Sequence, residues 1–408
     1  MENATITSLS DVKNNNKRAI IEYLHSVGST SRSALAQALH LSKPSVSCHL
    51  TPLLALGLIQ EIGRGESTCA GGRKPIILSF NARFRYILAI DLLRNAPFFV
   101  LGDLYGNTVS EFHIRLPELC DPATCVRMIL SSVQMFLAAN NVSENKLCYI
   151  AISCPGIFSP DGESCFIGDR LLSQYAQTLL QELRSQYTLP IIIKNDVKVA
   201  TIGEQRFGAA IHSKDFLYLH CGYGLGAGIV LNHELLEGLN YSAGEIFNFI
   251  DPASYHSRTN LESCVNIDAL LTNVTQEIQS GASSILDGII QSGHVLSFDD
   301  ITTAYRARDE VVCAQLRSIA EKLGCHLANI VNLLSIDTIV LGGEYTAFAE
   351  LFLDVFAEIT SSYCHPKPTI LSSKLSNIHA EVCGLFYLAS TQYFDDLCVS
   401  DAPSSPSP

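Results

Sequence analysis

The sequence predicts an α/β protein: a small winged helix-turn-helix at the N-terminus, followed by two α/β lobes. Three observations predict it. The first eighty residues carry three short apolar stripes at helical spacing and then a glycine-rich hairpin. From residue 81 onward, apolar strand-like runs alternate with helical patterns in two successive units. The charge is also divided. Residues 1–80 hold 8 Lys+Arg and 5 Asp+Glu, a net of +3, while the rest of the chain is at −16 and the whole at −13. A mildly basic head on an acidic body fits nucleic-acid contact confined to one end.

The 408 residues leave room for two or three domains at roughly 100–200 residues each. With 47% apolar and 16% charged residues, the composition is that of a globular chain with a sizeable core. No apolar run reaches the roughly 18 residues that span a bilayer. The first twenty residues lack the apolar stretch and cleavage pattern of a secretory signal, so the expected compartment is the cytoplasm. The 14 cysteines are scattered, with no C-x-x-C pair, and read as reduced, mostly buried thiols.

In the head, 1–80, Ile20, Ile21, Leu24 and Val27 form one stripe of a helix over 16–27, which Gly28 ends. Ser31 or Ser33 caps a short second helix carrying Leu35, Ala36 and Leu39. Ser42 caps a third, with Pro44 in its first turn, where a missing N–H costs nothing. This helix turns Val46, Leu50, Leu53 and Leu54 inward and is expected to present Lys43, Ser45, Ser47 and His49 outward. Pro52 removes a bond back to Cys48, which predicts a kink or an early stop near Thr51. Strands over 58–62 and 75–80 flank a loop with Gly63, Gly65, Gly71 and Gly72. That is a wing, suited to phosphates or a minor groove. The candidate DNA contacts are Arg32, Lys43, Ser45, Ser47, His49, Arg64, Arg73 and Lys74. The alternative for this region is a three-helix domain used for protein contacts.

The body opens with strands over 86–91, 98–103 and 108–116, a helix over 122–139, a strand over 148–153, a helix over 171–186 and a strand over 190–194. A second lobe begins with the strand 216–220, followed by four glycines between Cys221 and Gly228. Such a run either approaches a phosphate or makes a tight hairpin. Thr338 to Leu341 is a further strand, leading into the turn Gly342-Gly343-Glu344. The expected partition is 81–200 for the first lobe, joined by a C-terminal helix near 380–395, then 201–380 for the second lobe and a disordered tail over 396–408.

The chain resembles the ROK family (repressors, open reading frames and kinases), and within it the xylose and N-acetylglucosamine type of repressor. The matching stretches are Gly71-Gly72-Arg73-Lys74-Pro75, Cys154-Pro155-Gly156, Lys194-Asn195-Asp196-Val197 with Gly203-Glu204, and Gly222 to Gly228. They continue with Gly238, Ala243-Gly244-Glu245-Ile246, Leu261-Glu262-Ser263 and Leu341-Gly342-Gly343. The resemblance implies a two-lobed actin- and hexokinase-like (ribonuclease H-like) body with a sugar site lined by Gly156, Asn195, Asp196, Glu245, Asn248 and Glu262. In family kinases the residue at the place of Asp196 is the base that takes the proton of a sugar hydroxyl.

Four departures separate the chain from a kinase. Asp91-Leu92-Leu93-Arg94-Asn95 lacks the glycine of the family's Asp-x-Gly-x-Thr phosphate loop, which removes part of the positioning that phosphoryl transfer needs. Tyr223 stands where a small hydroxyl residue is usual. The family's zinc motif is missing: Asn248 holds the place of its His, and no cysteine lies between Asp251 and Leu261. His256 is read as a surface residue. Lys194 and Lys198 replace an acid and an Asn. The expectation is a non-enzymatic transcriptional regulator without metal or cofactor. Its expected partners are a double-stranded DNA operator, a small sugar effector and further copies of itself, as a homodimer or dimer of dimers, with no membrane. A body that only dimerises, or an active sugar kinase, remain the alternatives.

Overall fold

The computed structural model describes residues 9–64, 74–92, 96–117, 121–159, 165–167, 170–250, 259–375 and 379–399. Helices α1 (Leu9–Val27), α2 (Arg32–Ala38) and α3 (Lys43–Leu56) alternate with the short strands β1 (Ser29–Ser31), β2 (Ile59–Arg64) and β3 (Ile76–Phe80). The strands pair in the order β1-β3-β2, antiparallel throughout. Three helices and such a sheet make the arrangement of a winged helix-turn-helix. Strand β1 was not anticipated: Ser29-Thr30-Ser31 is too short and polar to show a period, and pairing with Ser79, Leu78 and Ile77 creates it.

The next strands are β4 (Tyr86–Asp91), β5 (Phe98–Asp103) and β6 (Thr108–His113), followed by α4 (Pro122–Ala139) and β7 (Leu147–Cys154). A hairpin of β8 (Ile157–Phe158) and β9 (Cys165–Ile167) leads to α5 (Arg170–Gln186) and β10 (Ile191–Asn195). Five strands form one sheet in the order β10-β7-β4-β5-β6. Helix α4 is long and apolar enough to cross a membrane by length and composition, but eight of its side chains are buried within the protein.

Then come α6 (Asp196–Phe207), β11 (Phe216–Cys221), β12 (Leu225–Leu231), β13 (Glu234–Leu235), α7 (Glu262–Val265), α8 (Ile267–Gln279), α9 (Asp287–Gln291), α10 (Phe298–Arg306) and α11 (Glu310–Leu334). The chain closes with β14 (Thr338–Gly342), α12 (Ala349–Tyr363), β15 (Thr369–Ser372) and α13 (Ala380–Val399). The second sheet has the order β13-β12-β11-β14-β15, with β11 antiparallel to β12 and parallel to β14.

Two compact units result. One comprises Met1–Ile152, Gln174–Ile193 and Leu385–Pro408, the other Ser153–Ser173 and Lys194–Gly384. Helix α13 runs on to Val399, so residues 396–399, expected in a disordered tail, are helical. The wing tip 65–73 with Arg73, the run 93–95, the segment 251–258 with His256, and the last nine residues lie outside the described residues.

Within the first unit the head is fixed to the last turns of α13. The Arg18 guanidinium bridges Glu22 and Asp395 and donates to the Thr391 carbonyl at 3.0 Å, and the Lys17 ammonium donates to the Leu397 carbonyl. Cations at a helix C-terminus also meet the negative end of its dipole. The His25 ring lies among Phe80, Tyr105 and Phe394 at centroid distances of 4.9–5.4 Å, with Nε2 2.9 Å from the Leu104 carbonyl. Burial lowers its pKa, against the opposing pull of the Leu104 carbonyl and Asp103.

In the second unit, glycines let α6 approach its neighbours closely. A Cβ on Gly226 would lie 2.9 Å from Val197 Cγ2, and one on Gly228 1.7 Å from Thr201 Oγ1. Gly228→Val should therefore destabilise the protein by about 1–3 kcal/mol in chemical denaturation, through overpacking. Gly288→Ala, where nothing lies within 4 Å, should change stability by about 0.5 kcal/mol or less.

Candidate functional site

The first candidate site is the exposed face of α3. Ser42 Oγ accepts from the Ser45 N–H at 3.3 Å, and Ser31 Oγ accepts from the Ala34 N–H at 3.2 Å, so both expected N-caps are present. Lys43, Cys48 and Thr51 are exposed, and Ser45 and Ser47 are half-buried. His49 is a correction: it is 7% exposed and turned inward. The reason is helical spacing, since 46, 49, 50 and 53 fall on one face at i, i+3, i+4 and i+7. Burial, and then the charges of Lys13 and Lys17 on α1, lower the His49 pKa.

The early stop expected near Thr51 is also corrected. Helix α3 continues through Pro52 to Leu56, where Gly57 closes it in the left-handed conformation at φ 88°. Pro52 lies on the exposed side, next to exposed Cys48, so water can take the carbonyl that lost its donor. Arg32 is engaged with Glu61 on β2 at 2.9 Å, with both side chains about two-fifths exposed. Arg64 and Lys74 are exposed on the two chain segments that border the wing tip.

The second candidate site surrounds the N-terminus of α6. Asn195 is its N-cap: Oδ1 accepts from the Lys198 N–H at 3.0 Å, while Nδ2 donates to the Gly156 carbonyl at 2.9 Å. One side chain thus starts the helix and holds the Cys154-Pro155-Gly156 turn, where Gly156 has φ 125°. Asp196 follows, its Oδ1 accepting from the Val197 N–H at 2.9 Å. Glu262, the first residue of α7, accepts from the Leu225 N–H at 2.9 Å and so closes on the tip of the β11–β12 hairpin. Glu245 arrives on a loop fixed to β12 by the Ala227 N–H donating to the Gly244 carbonyl at 2.9 Å.

These carboxyls act on one another. Burial pushes Glu245 up to about 7, with Asp196 and Glu262 adding to the rise and Lys198 opposing it. Burial also raises Asp196, against the pull of nearby His220 and with a push from Glu344. Lys198 is itself lowered by burial, and its ammonium donates to the Tyr241 carbonyl. Asn248 stands exposed at the end of a short 3₁₀ turn.

Two neighbours escaped the sequence reading. His220 is the penultimate residue of β11, just before the glycine run, and Glu344 follows Gly342-Gly343; the parallel pairing of β11 with β14 puts His220 opposite Gly342, two residues before Glu344. His220 Nδ1 and Glu344 Oε2 are buried without a hydrogen-bond partner among the described residues. Gly222 exists for Glu344: a Cβ there would lie 1.7 Å from Glu344 Oε2. The glycine run is thus a tight hairpin, closed by the Gly222 N–H donating to the Gly224 carbonyl at 3.0 Å. Its glycines admit Glu344 and the side chains of α6.

Buried carboxyls at a helix N-terminus, beside a glycine hairpin, stand in an α/β body with two five-stranded sheets. The chain belongs to the ROK family, whose profile matches residues 88–392. It is 26% identical over 358 residues to the xylose repressor of Caldicellulosiruptor bescii, covering 85% of this chain and 88% of that one. It is 24% identical over 355 residues to the DNA-binding transcriptional dual regulator NagC of Escherichia coli, covering 86% and 85%. The fold is similar to that of a ROK family transcriptional regulator, a homolog of the E. coli MLC protein. There the TM-score is 0.78 at 21% identity, over 95% of this chain and 99% of the other. A ROK family glucokinase from Streptomyces griseus, solved with glucose and AMPPNP, aligns with a TM-score of 0.62 at 21% identity, over 74% of this chain and 98% of the other.

The raised Glu245 carboxyl gives a sign for the pH dependence of stability. Its folded pKa of about 7 lies above the usual carboxylate value, so the folded state holds an extra proton between those two values. Stability from this group therefore falls as pH rises toward 7. Glu245→Gln should raise Tm at pH 8 and leave it nearly unchanged at pH 5, by differential scanning calorimetry.

Proposed function

We propose that this protein is a sequence-specific DNA-binding transcriptional repressor of carbohydrate genes, released or engaged by a sugar in the ROK body. The observation that carries the reading is the head: a capped third helix with an exposed polar face beside a basic wing. Lys43, Ser45 and Ser47 read the major groove, and short hydroxyls suit base edges without fixing one base. Arg64, Arg73 and Lys74 hold phosphates from the wing, with Arg32 joining where a phosphate displaces Glu61. His49 is not a DNA contact. It is a packing residue between α3 and α1.

Gly156, Asn195, Asp196, Glu245, Asn248 and Glu262 form the sugar site, since carboxylates and amides match vicinal hydroxyls. Asn195, occupied at both ends of its amide, chiefly positions the Gly156 turn and Asp196. The protein works without catalysis, metal or cofactor, in the cytoplasm, as a homodimer or dimer of dimers whose two heads meet two half-sites. The names of its relatives, xylose repressor and NagC, agree with this reading.

Gel shift against DNA flanking its own gene at low salt tests it, with D-xylose and N-acetylglucosamine added in turn. Wild type should bind, and one sugar should change the affinity. Lys43→Ala should weaken binding and relax the sequence preference, while Lys74→Ala should weaken binding to all sequences and reduce the salt slope by about one. His49→Ala should lower Tm without changing the salt slope. A sugar at 100 times its Kd should also stabilise the chain by about 2.7 kcal/mol. Absence of any shift at low salt contradicts the DNA reading, and ADP formation with either sugar contradicts the non-enzymatic one.

A further inference from the structure

We propose that α3 selects its operator through the 5-methyl groups of thymines, by a row of small apolar side chains on its outer face. This rests on the DNA-binding reading above, and on the head alone.

Helix α3 has little with which to bond a base edge twice. Its 14 residues include no Arg, Asn, Gln, Asp or Glu. Those side chains make the paired bonds to guanine and adenine, or accept from cytosine. Lys43 is the one Lys on the helix, at its first position, and His49 is turned inward. Ser45 and Ser47 are half-buried, and a serine hydroxyl bonds to any base.

What the helix shows outward is apolar instead. Pro44, Cys48 and Pro52 are exposed at i, i+4 and i+8, in one row along the helix, and Thr51 and Ala55 are exposed beside it. The Thr51 hydroxyl donates to the Ser47 carbonyl at 2.8 Å, so its proton is committed to the backbone and its methyl group remains for contact. A row of this kind matches one feature of the major groove, the C5-methyl of thymine, which small apolar groups and the Thr methyl pack against.

Charge says what covers the row. Residues 1–80 carry a net of +3 in a chain of −13, and no acid lies on α3. Exposed Lys43 adjoins Pro44 at one end of the row, and Arg64 and Lys74 are exposed on the segments that border the wing tip. Apolar groups framed by cations suit a polyanion with methyl groups in its groove better than they suit an apolar protein surface.

The test uses deoxyuridine, which lacks the methyl group and keeps every hydrogen-bonding atom of thymidine. A genomic fragment retained by the full-length protein at low salt is copied with thymidine or with deoxyuridine throughout, and the Kd of each copy is measured. One buried methyl is worth about four-fold in Kd, so with several in contact the deoxyuridine copy should bind at least about ten-fold more weakly. The salt slope should be the same for both copies, because the phosphates are untouched. Cys48→Ser/Thr51→Ser makes the row polar and keeps a hydroxyl for the Ser47 carbonyl. In this variant the difference between the copies should fall below about three-fold.

Equal affinity of wild type for the two copies overturns the methyl readout and leaves DNA binding standing. So does an undiminished difference in the double variant, because a change of DNA shape penalises both proteins alike. Retention of no fragment at low salt overturns both readings, and the row then belongs to a protein contact.

Discussion

Helix α6 lies so close to β12 and α13 that four of the contact positions carry no side chain. Gly226 and Gly228 on β12 make way for Val197 and Thr201, and Gly384 on α13 makes way for the Val199 backbone. Gly203, on α6 itself, does the same for Ala380. This packing fixes where the helix begins, and its beginning is the chemistry of the body. Asn195 caps the helix and holds Gly156, so Asp196 has no freedom to drift from Glu245 and Glu262. A methyl group at any of these glycines would move the helix before it touched a ligand.

The charge placed at that helix start explains the rest of the site. Burial raises the Glu245 and Asp196 carboxyls, and each adds to the other's neighbourhood of charge, with Glu245 pushed up to about 7. Lys198 offsets part of that rise while committed to the Tyr241 carbonyl. Glu344 stands beside Gly222, whose missing side chain leaves room for its carboxylate.

Much of this was legible in the chain, and the failures have physical causes. Strands β4 and β5 and helix α4 stand at their expected residues, because turn residues and a Pro at the helix start mark them locally. The Asn195-Asp196 pair was legible by its place after an apolar strand. His49 was misplaced because the outward face was read from polarity; spacing puts 49 with 46, 50 and 53. Pro52 suggested a stop that an exposed helix face tolerates. His220 and Glu344 are 124 residues apart and meet only through the β11–β14 pairing, which no local pattern encodes. The glycine run was ambiguous in sequence, since a glycine facing a phosphate and a glycine facing a helix read alike. The elements α7 to α11 went unassigned, although α11 buries a long apolar stripe.

The central claim is that the head reads DNA. Its most direct test is sequencing of the genomic fragments that the purified full-length chain retains at low salt, beside Lys43→Ala as the comparison. The account predicts strong enrichment of a few sites with paired half-sites about 10 bp apart or at multiples of that spacing, next to genes of carbohydrate use, and loss of that enrichment in Lys43→Ala. Fragments retained without sequence preference, or equally by both proteins, would contradict it.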